Sequence, residues 1–207
     1  MKNLLLILLC LILFSSSCKK DIIKTGCIDP IACNYDVNAN TDDESCWYPS
    51  IGYDCQGNII EYVIDMELNG GNVFYIDETG EHGLIYRVHV TNGVMRFIWG
   101  CYGDSINGAN GLVIGTGMQN SLDIQEGCSE SVYAAKEALS IGWHLPSIDE
   151  LVAIYNSSVF NPSHGFHWYW SSSQATDMKA WAVNFHDGTI EKHAKISELK
   201  ILLVSSF

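Results

Sequence analysis

The chain has 207 residues, with 11 Lys and Arg against 24 Asp and Glu, a formal net charge of −13 at pH 7. So acidic a surface repels phosphate backbones and anionic headgroups, which excludes nucleic acid and anionic lipid as partners held by charge. It also works against sulfated polysaccharides unless the few basic groups cluster, and it favours solubility and divalent cations.

Lys2 precedes an apolar run from Leu4 to Phe14, followed by Ser15-Ser-Ser-Cys18. A run of that length rises only about 16 Å as a helix, short of a ~30 Å hydrocarbon core. A positive end, an apolar stretch and small residues make a secretory signal. The cysteine directly after the small residues gives it the look of a bacterial lipoprotein signal. The expectation is that residues 1–17 are removed and that Cys18 is acylated. Acylation by more than one chain is what stable anchoring requires, and residues 18–25 then form a tether. Loss of Lys2 leaves 10 basic residues against 24 acidic ones. The expected location is the bacterial cell envelope, at the outer membrane or cell surface, with the membrane as a partner through the lipid anchor.

Of eight cysteines, Cys10 leaves with the signal and Cys18 takes the lipid. The remaining six are Cys27, Cys33, Cys46 and Cys55 in one cluster, with Cys101 and Cys128 apart. An even set in an exported chain reads as disulfides. The cluster has three internal connectivities, among which the sequence does not choose. No Cys-x-x-Cys pair supports zinc.

Residues 26–58 are rich in Cys, Asp and Asn and poor in aliphatics. So short a segment cannot stand on its core alone, so cross-links must hold it. Within it, Asp36, Asn38, Asn40 and Asp42 place oxygens at alternate positions, a register in which a loop can wrap calcium. The segment is not an EF-hand, because Thr41 replaces the sharp-turn glycine and Trp47 the bidentate glutamate. The plainer reading is a turn-rich loop of Asx turns, and no other cofactor is expected. Its Cys-x-Asp-Pro…Ala-Cys-Asn-Tyr-Asp…Asp-Asp-x-Ser-Cys pattern resembles a small module found near the ends of secreted bacterial proteins.

Residues 59–207 read as a larger α+β domain. Residues 59–69 lead into it, with part of them as its first strand. Val73–Ile76 and Gly83–Val90 read as strands around the turn Asp77-Glu-Thr-Gly80, and Val94–Trp99 as a third. Gly100–Gly117 carries six glycines and little periodicity, which predicts a long ordered loop. Ser129–Ser140 reads as a helix with Val132, Ala135, Ala138 and Leu139 on its stripe. A second helix starts at Ser147, where Glu150 completes a capping box, and Leu151, Ile154 and Tyr155 follow at helical spacing. Trp168 and Trp170 share one face of an extended segment, with Tyr169 on the other. In Ala180–His186 the residues Trp181, Val183 and Phe185 face inward, and Asp187-Gly188 signals a type I′ hairpin returning through Ala194. Ile201–Val204 reads as a buried closing strand.

Gly70-Gly-Asn-Val-Phe-Tyr-Ile-Asp77, Trp99-Gly-Cys101, Leu145-Pro-Ser147, Asp149-Glu-Leu151, Tyr169-Trp-Ser-Ser-Ser173 and Trp181…Phe185…Asp187-Gly188 occur in that order. Together they resemble the C-terminal domain of bacterial collagen-like adhesins. The resemblance implies a C-type-lectin-like fold with two helices and antiparallel strands, on an exported surface protein. It also implies a binding role, since some members hold glycosaminoglycan-like polymers. One departure is that Val204-Ser-Ser-Phe207 lacks the arginine the family carries before its last aromatic.

Catalysis is not expected. The formylglycine-generating type of related fold works through a reactive cysteine pair, whereas Cys101 and Cys128 read as a disulfide. No His-Glu-x-x-His or Gly-x-Ser-x-Gly motif is present, and His164-Gly-Phe-His167 alone does not make a metal site. The expected function is recognition of a glycan or an extracellular protein, with Trp143, Trp168 and Trp170 as aromatic contacts and Asn107, Asn110 and His186 as polar ones. The alternative is a structural envelope lipoprotein whose tryptophans are all core.

Overall fold

The structure is a computed structural model, and it describes residues 22–89, 96–157 and 167–207. The signal segment 1–17, Cys18, the start of the Val94–Trp99 strand and His164 lie outside the described residues. The chain divides into two compact units, one ending at Asn58 and the other running from Ile59 to Phe207.

The small unit has almost no regular structure. β1 (Thr25–Gly26) pairs in parallel with β2 (Thr41–Asp42). Disulfides join Cys27 to Cys46 and Cys33 to Cys55, one of the three connectivities open to the cluster. Cys27 and Ala32 are its buried apolar residues, so covalent staples stand where a larger domain would have a core.

The large unit is α+β with two antiparallel sheets. β3 (Glu67–Leu68), β4 (Gly71–Ile76), β5 (Gly83–Val88) and β9 (Leu202–Ser206) form one, in the order β3-β4-β5-β9. β6 (Trp168–Gln174), β7 (Lys179–Asn184) and β8 (Ile190–Ala194) form the other. The helices are α1 (Gly117–Gly127), α2 (Ala134–Ser140) and α3 (Ile148–Asn156). Three helices replace the two expected.

Strand alternation places a core on both faces of β6, β7 and β9. Trp170, Ala182 and Leu203 enter one cluster, with Trp99, Ile124 and the alanines of α2. Tyr169, Val183, Phe185, Leu202 and Val204 enter the other, with Leu151 and Ile154 of α3. The Ala180–Ala182 face of β7 is therefore as buried as the Val183–Phe185 face, because small residues there admit the bulk of Trp170.

Four further elements depart from the sequence reading. Phe97 bridges Leu199 rather than sitting in a strand, and the first strand shrinks to Glu67–Leu68. α2 begins at Ala134, leaving Val132 exposed outside it. The β7–β8 hairpin forms, but its turn is Phe185–Gly188 rather than Asp187-Gly188 alone, with Asn184 N–H donating to Thr189 O. Burial of Phe185 draws the extra residues into the turn, and Gly188, at φ 77°, closes it against Tyr155.

α1 falls between the predicted loop and the predicted Ser129–Ser140 helix, where no element is predicted, because its pattern is inverted. Its inward stripe is Gly117, Asn120, Ser121 and Ile124, a helical spacing built mostly from polar and small residues. Met118 and Leu122 are meanwhile 45% and 41% exposed.

The Cys101–Cys128 disulfide closes α1 and the preceding loop across a separation of 27 residues. Replacing both cysteines by serine is expected to lower the stability of the large unit by about 3–4 kcal/mol. Urea denaturation followed by tryptophan fluorescence measures the loss, and an unchanged midpoint would count against a structural role for the bond.

Candidate functional site

Gly100–Thr116 carries no helix or strand, so its backbone polar groups need other partners. Side chains supply them from beneath. Glu150 is fully buried and accepts N–H bonds from Gly115 at 2.7 Å, Ser147 at 2.8 Å and Gly117 at 3.4 Å. Ser147 Oγ accepts the Glu150 N–H in return, completing the capping box of α3. Burial pushes the Glu150 carboxyl above its usual range, and the three N–H donors pull against that shift.

Asn120 treats Gly111 as a strand partner would: Gly111 N–H donates to its Oδ1 at 3.0 Å and its Nδ2 donates to Gly111 O at 2.7 Å. Gln174 Oε1 accepts from Ile106 N–H at 2.8 Å. Lys195 is fully buried, with its Nζ donating to Asp104 O at 2.7 Å and Gln174 Oε1 at 2.8 Å, 4.5 Å from the centre of the Trp99 ring. Burial lowers its ammonium to a pKa of about 8, against the opposing pull of Asp177 and Asp104. Cys101, at φ 48°, donates its N–H to Glu130.

The serine run completes this support. Trp170 pairs with Ala182 and Gln174 with Ala180, so Ser171, Ser172 and Ser173 together oppose the single residue Trp181. The bulge frees their hydroxyls, which donate to Trp181 O, Pro146 O and Gly111 O. Ile148 N–H donates to Ser173 Oγ.

Above this buried layer the loop presents exposed side chains: Tyr102, Asn107, Asn110, Leu112 and Val113. Among the described residues the side-chain amides of Asn107 and Asn110 have no hydrogen-bond partner. Amides held on a rigid loop can exchange hydrogen bonds with hydroxyls or peptide groups of a ligand.

The other sequence-derived contacts are elsewhere. Trp170 is not a contact residue: it is fully buried and its indole N–H donates to Phe97 O at 2.8 Å. Trp143 is half-buried under Arg87, whose guanidinium lies 4.2 Å from the ring centre. Trp168 is half-buried against His193, with ring centres 4.3 Å apart. Trp168 pairs with Asn184 at one end of β7, beside the turn that holds exposed His186. The loop meets the opposite end of β7, where Gly103 N–H donates to Asp177 O. The two groups are thus roughly 15–20 Å apart along the strand.

In the small unit, Asp36 Oδ1 accepts from Asn38 N–H, and Asp42 Oδ1 from Glu44 N–H. Asn40 Oδ1 accepts Lys24 N–H and its Nδ2 donates to Ile22 O. The Asp36 and Asp42 bonds make Asx turns, and those of Asn40 tie the loop back to residues 22–24. Among the described residues one group of three His, Cys, Asp or Glu ligand atoms converges, Cys101, Cys128 and Glu130, and its cysteines form a disulfide.

Lys195, Asn120 and the roles of the serines escaped sequence reasoning. A lysine in a turn and polar residues in a glycine-rich stretch carry no periodic signal of burial.

A family model described as the Lcl C-terminal domain matches residues 90–205. Among solved structures, a fimbrial protein from Bacteroides ovatus ATCC 8483 aligns at 12% identity with a TM-score of 0.44, over 83% of this chain and 50% of that one. This chain therefore spans about half the length of that protein. No curated protein matches the chain.

Two substitutions test the support. Glu150→Gln sets an amide N–H₂ against backbone N–H donors, and is expected to cost about 3 kcal/mol in urea denaturation. A loss under 1 kcal/mol would remove Glu150 from this role. His144 is buried beside Val204, and burial lowers its pKa from 6.5 to about 4. The unfolded chain therefore binds the proton first as pH falls, so the stability present above pH 6.5 is lost on the way down to pH 4. The loss attributable to this group is about 3 kcal/mol. His144→Leu should flatten the stability profile over that window by this amount relative to the unsubstituted protein.

Proposed function

Since the chain belongs to the Lcl C-terminal domain family, we propose that it is an adhesin-type surface protein that holds an extracellular ligand on the outer side of the Gly100–Thr116 loop. The observation that carries this reading is the contrast within that loop. Its backbone is fixed from below by buried Glu150, Asn120, Gln174 and Lys195, while Tyr102, Asn107 and Asn110 stay exposed above. Evolution of a rigid irregular loop with unpartnered amides is poorly explained by stability alone, since a hairpin would satisfy the same backbone more simply. The ligand is a glycan or matrix-type polymer whose hydroxyls or amides match Asn107 and Asn110, with the Tyr102 ring as the apolar contact.

The role is read as non-catalytic, with Cys101 and Cys128 serving as a structural cross-link of the loop. Attachment to the envelope runs through acylated Cys18, with residues 18–25 as the tether. Among the described residues no helix is long and apolar enough to cross a membrane.

The test is a glycan and matrix-polymer array probed with soluble residues 19–207, in calcium and in chelator. Binding is expected, and Asn107→Ala combined with Asn110→Ala should weaken it at least ten-fold with the fold intact. Trp168→Ala should leave it within two-fold. Loss on Trp168→Ala with retention in the asparagine variant would move the site to the far end of β7. Silence across the array from folded protein would end the polymer reading.

A further inference from the structure

The small unit carries a concave surface of its own. Trp47, Tyr48 and Tyr53, with Ser50, Asp54 and Gln56, line an open cleft of about 460 Å³, inside the roughly 300–1,000 Å³ range of small-molecule sites. Trp47 is 51% exposed and Tyr48 50%. This unit has a buried apolar core of little more than Cys27 and Ala32, yet it leaves its largest rings outside. Ring burial is the strongest stabilisation available to so small a unit, so its omission points to another use for the rings.

The Trp47 backbone and the Tyr48 ring are held in place before any ligand arrives. Trp47 N–H donates to Asn34 Oδ1 at 3.0 Å, and Trp47 O accepts Cys33 N–H at 2.9 Å. The Tyr48 hydroxyl donates to Asp29 Oδ2 at 2.6 Å. Asp54 organises the far wall, accepting from the N–H groups of Gln56 and Asn58 and from Asn58 Nδ2. A preformed site avoids the ordering entropy that weakens flexible ones.

The polar groups at the cleft identify the ligand class. Among the described residues the Trp47 indole N–H, the Ser50 hydroxyl and the Gln56 amide have no hydrogen-bond partner. An aromatic floor with uncharged donors and acceptors beside it matches a sugar ring, whose C–H face stacks and whose hydroxyls exchange hydrogen bonds. Asp29 and Asp54 are held below the usual carboxylate range, chiefly by their bonds to Tyr48 and Asn58. Their fixed negative charge turns away sulfated, phosphorylated and uronic acid polymers.

We propose that the small unit is a carbohydrate-binding site in its own right, taking a neutral hexose or short neutral oligosaccharide across Trp47, Tyr48 and Tyr53. It is separate from the loop of the large unit and does not depend on that loop's role. Two binding points on one chain would raise avidity for a repeating polymer without any new contact.

The test is affinity electrophoresis of soluble residues 19–207 in gels holding a mannan, a xylan, a β-1,3-glucan or a starch-type glucan, with heparin as the anionic control. Retardation by at least one neutral polymer and none by heparin is expected. Trp47→Ala and Tyr48→Ala should each reduce it at least ten-fold, while Val37→Ala, an exposed side chain of the small unit outside the cleft, leaves it unchanged. Should Trp47→Ala disturb the disulfides, as read by mass spectrometry, Gln56→Ala serves in its place with an expected loss of about three-fold. No retardation by any neutral polymer overturns the proposal, as does retardation that survives these substitutions or is lost only in the asparagine variant. Quenching of Trp47 fluorescence by a proline-rich peptide, without retardation by sugar polymers, overturns it in favour of a peptide groove. Because the two sites are probed by different substitutions, failure here leaves the loop reading standing, and the reverse holds.

Discussion

The buried carboxylate of Glu150 is the constraint on which the large unit turns. It gathers N–H groups from Gly115, Gly117 and Ser147, so the end of the long loop, the start of α1 and the cap of α3 meet at one side chain. The convergence explains why residue 117 has to be glycine: a β-carbon there would overlap Glu150 Oε2 and approach Leu145 O to 2.7 Å. Loop backbone at Asp104, Ile106, Gly111 and Gly115 is then satisfied by side chains in place of a helix or strand partner. Asn120, Gln174, Lys195 and the three serines extend the same solution along the loop. In a low-dielectric interior such a network rigidifies what it satisfies and penalises any partial opening.

That network also dictates what faces outward. Because α1 turns Asn120 and Ser121 inward to serve Gly111 and Leu145, its longer apolar side chains, Met118 and Leu122, are left outside. The tryptophans show the opposite allocation. Trp99 and Trp170 fill the core, while Trp143, Trp168 and Trp181 lie under or against Arg87, His193 and Lys192. In a chain with so few basic residues, placing two of them, Arg87 and Lys192, on aromatic rings covers both the rings and the charges. The groups that the Gly100–Thr116 loop leaves for recognition are the Asn107 and Asn110 amides, the Tyr102 ring and the aliphatic Leu112 and Val113.

How much could be read from the sequence follows from what each signal measures. The α3 cap was legible because Ser147 and Glu150 act within one turn, and the Cys101–Cys128 bond because the other cysteines were otherwise placed. The strand at Ala180 was legible by alternation, and those at Val73, Gly83 and Ile201 as short apolar runs bounded by turns or the chain's end. α1 was not, since the residues at its helical spacing are Asn and Ser, which hydrophobic periodicity scores as solvent-facing. The pairing of Cys27 with Cys46 and Cys33 with Cys55 was open because the chain between them has no elements to fix it. The family motifs mark the buried scaffold and not a site. Leu145-Pro-Ser147, Glu150 and Trp170-Ser-Ser-Ser173 are the buried scaffold itself, so they mark the fold and say nothing of the surface it supports.

The cross-links enclose most of both candidate recognition surfaces. Tyr102, Asn107 and Asn110 lie between Cys101 and Cys128, and Trp47, Tyr48 and Tyr53 lie between Cys33 and Cys55. Apart from Gln56, which directly follows Cys55, each exposed group assigned to recognition therefore sits inside a covalently closed loop. Closing a loop removes conformations from the unbound and unfolded chain alike, so less ordering remains to be done when a ligand arrives. The two units reach this condition by different means. The large one adds a buried polar network to its disulfide, whereas the small one, with too little core to do so, relies on two disulfides and on Asx turns at Asp36, Asp42 and Asp54. Outside a cell, where no chaperone or reducing system restores a loosened loop, a site held by bonds within its own loop stays shaped for its ligand.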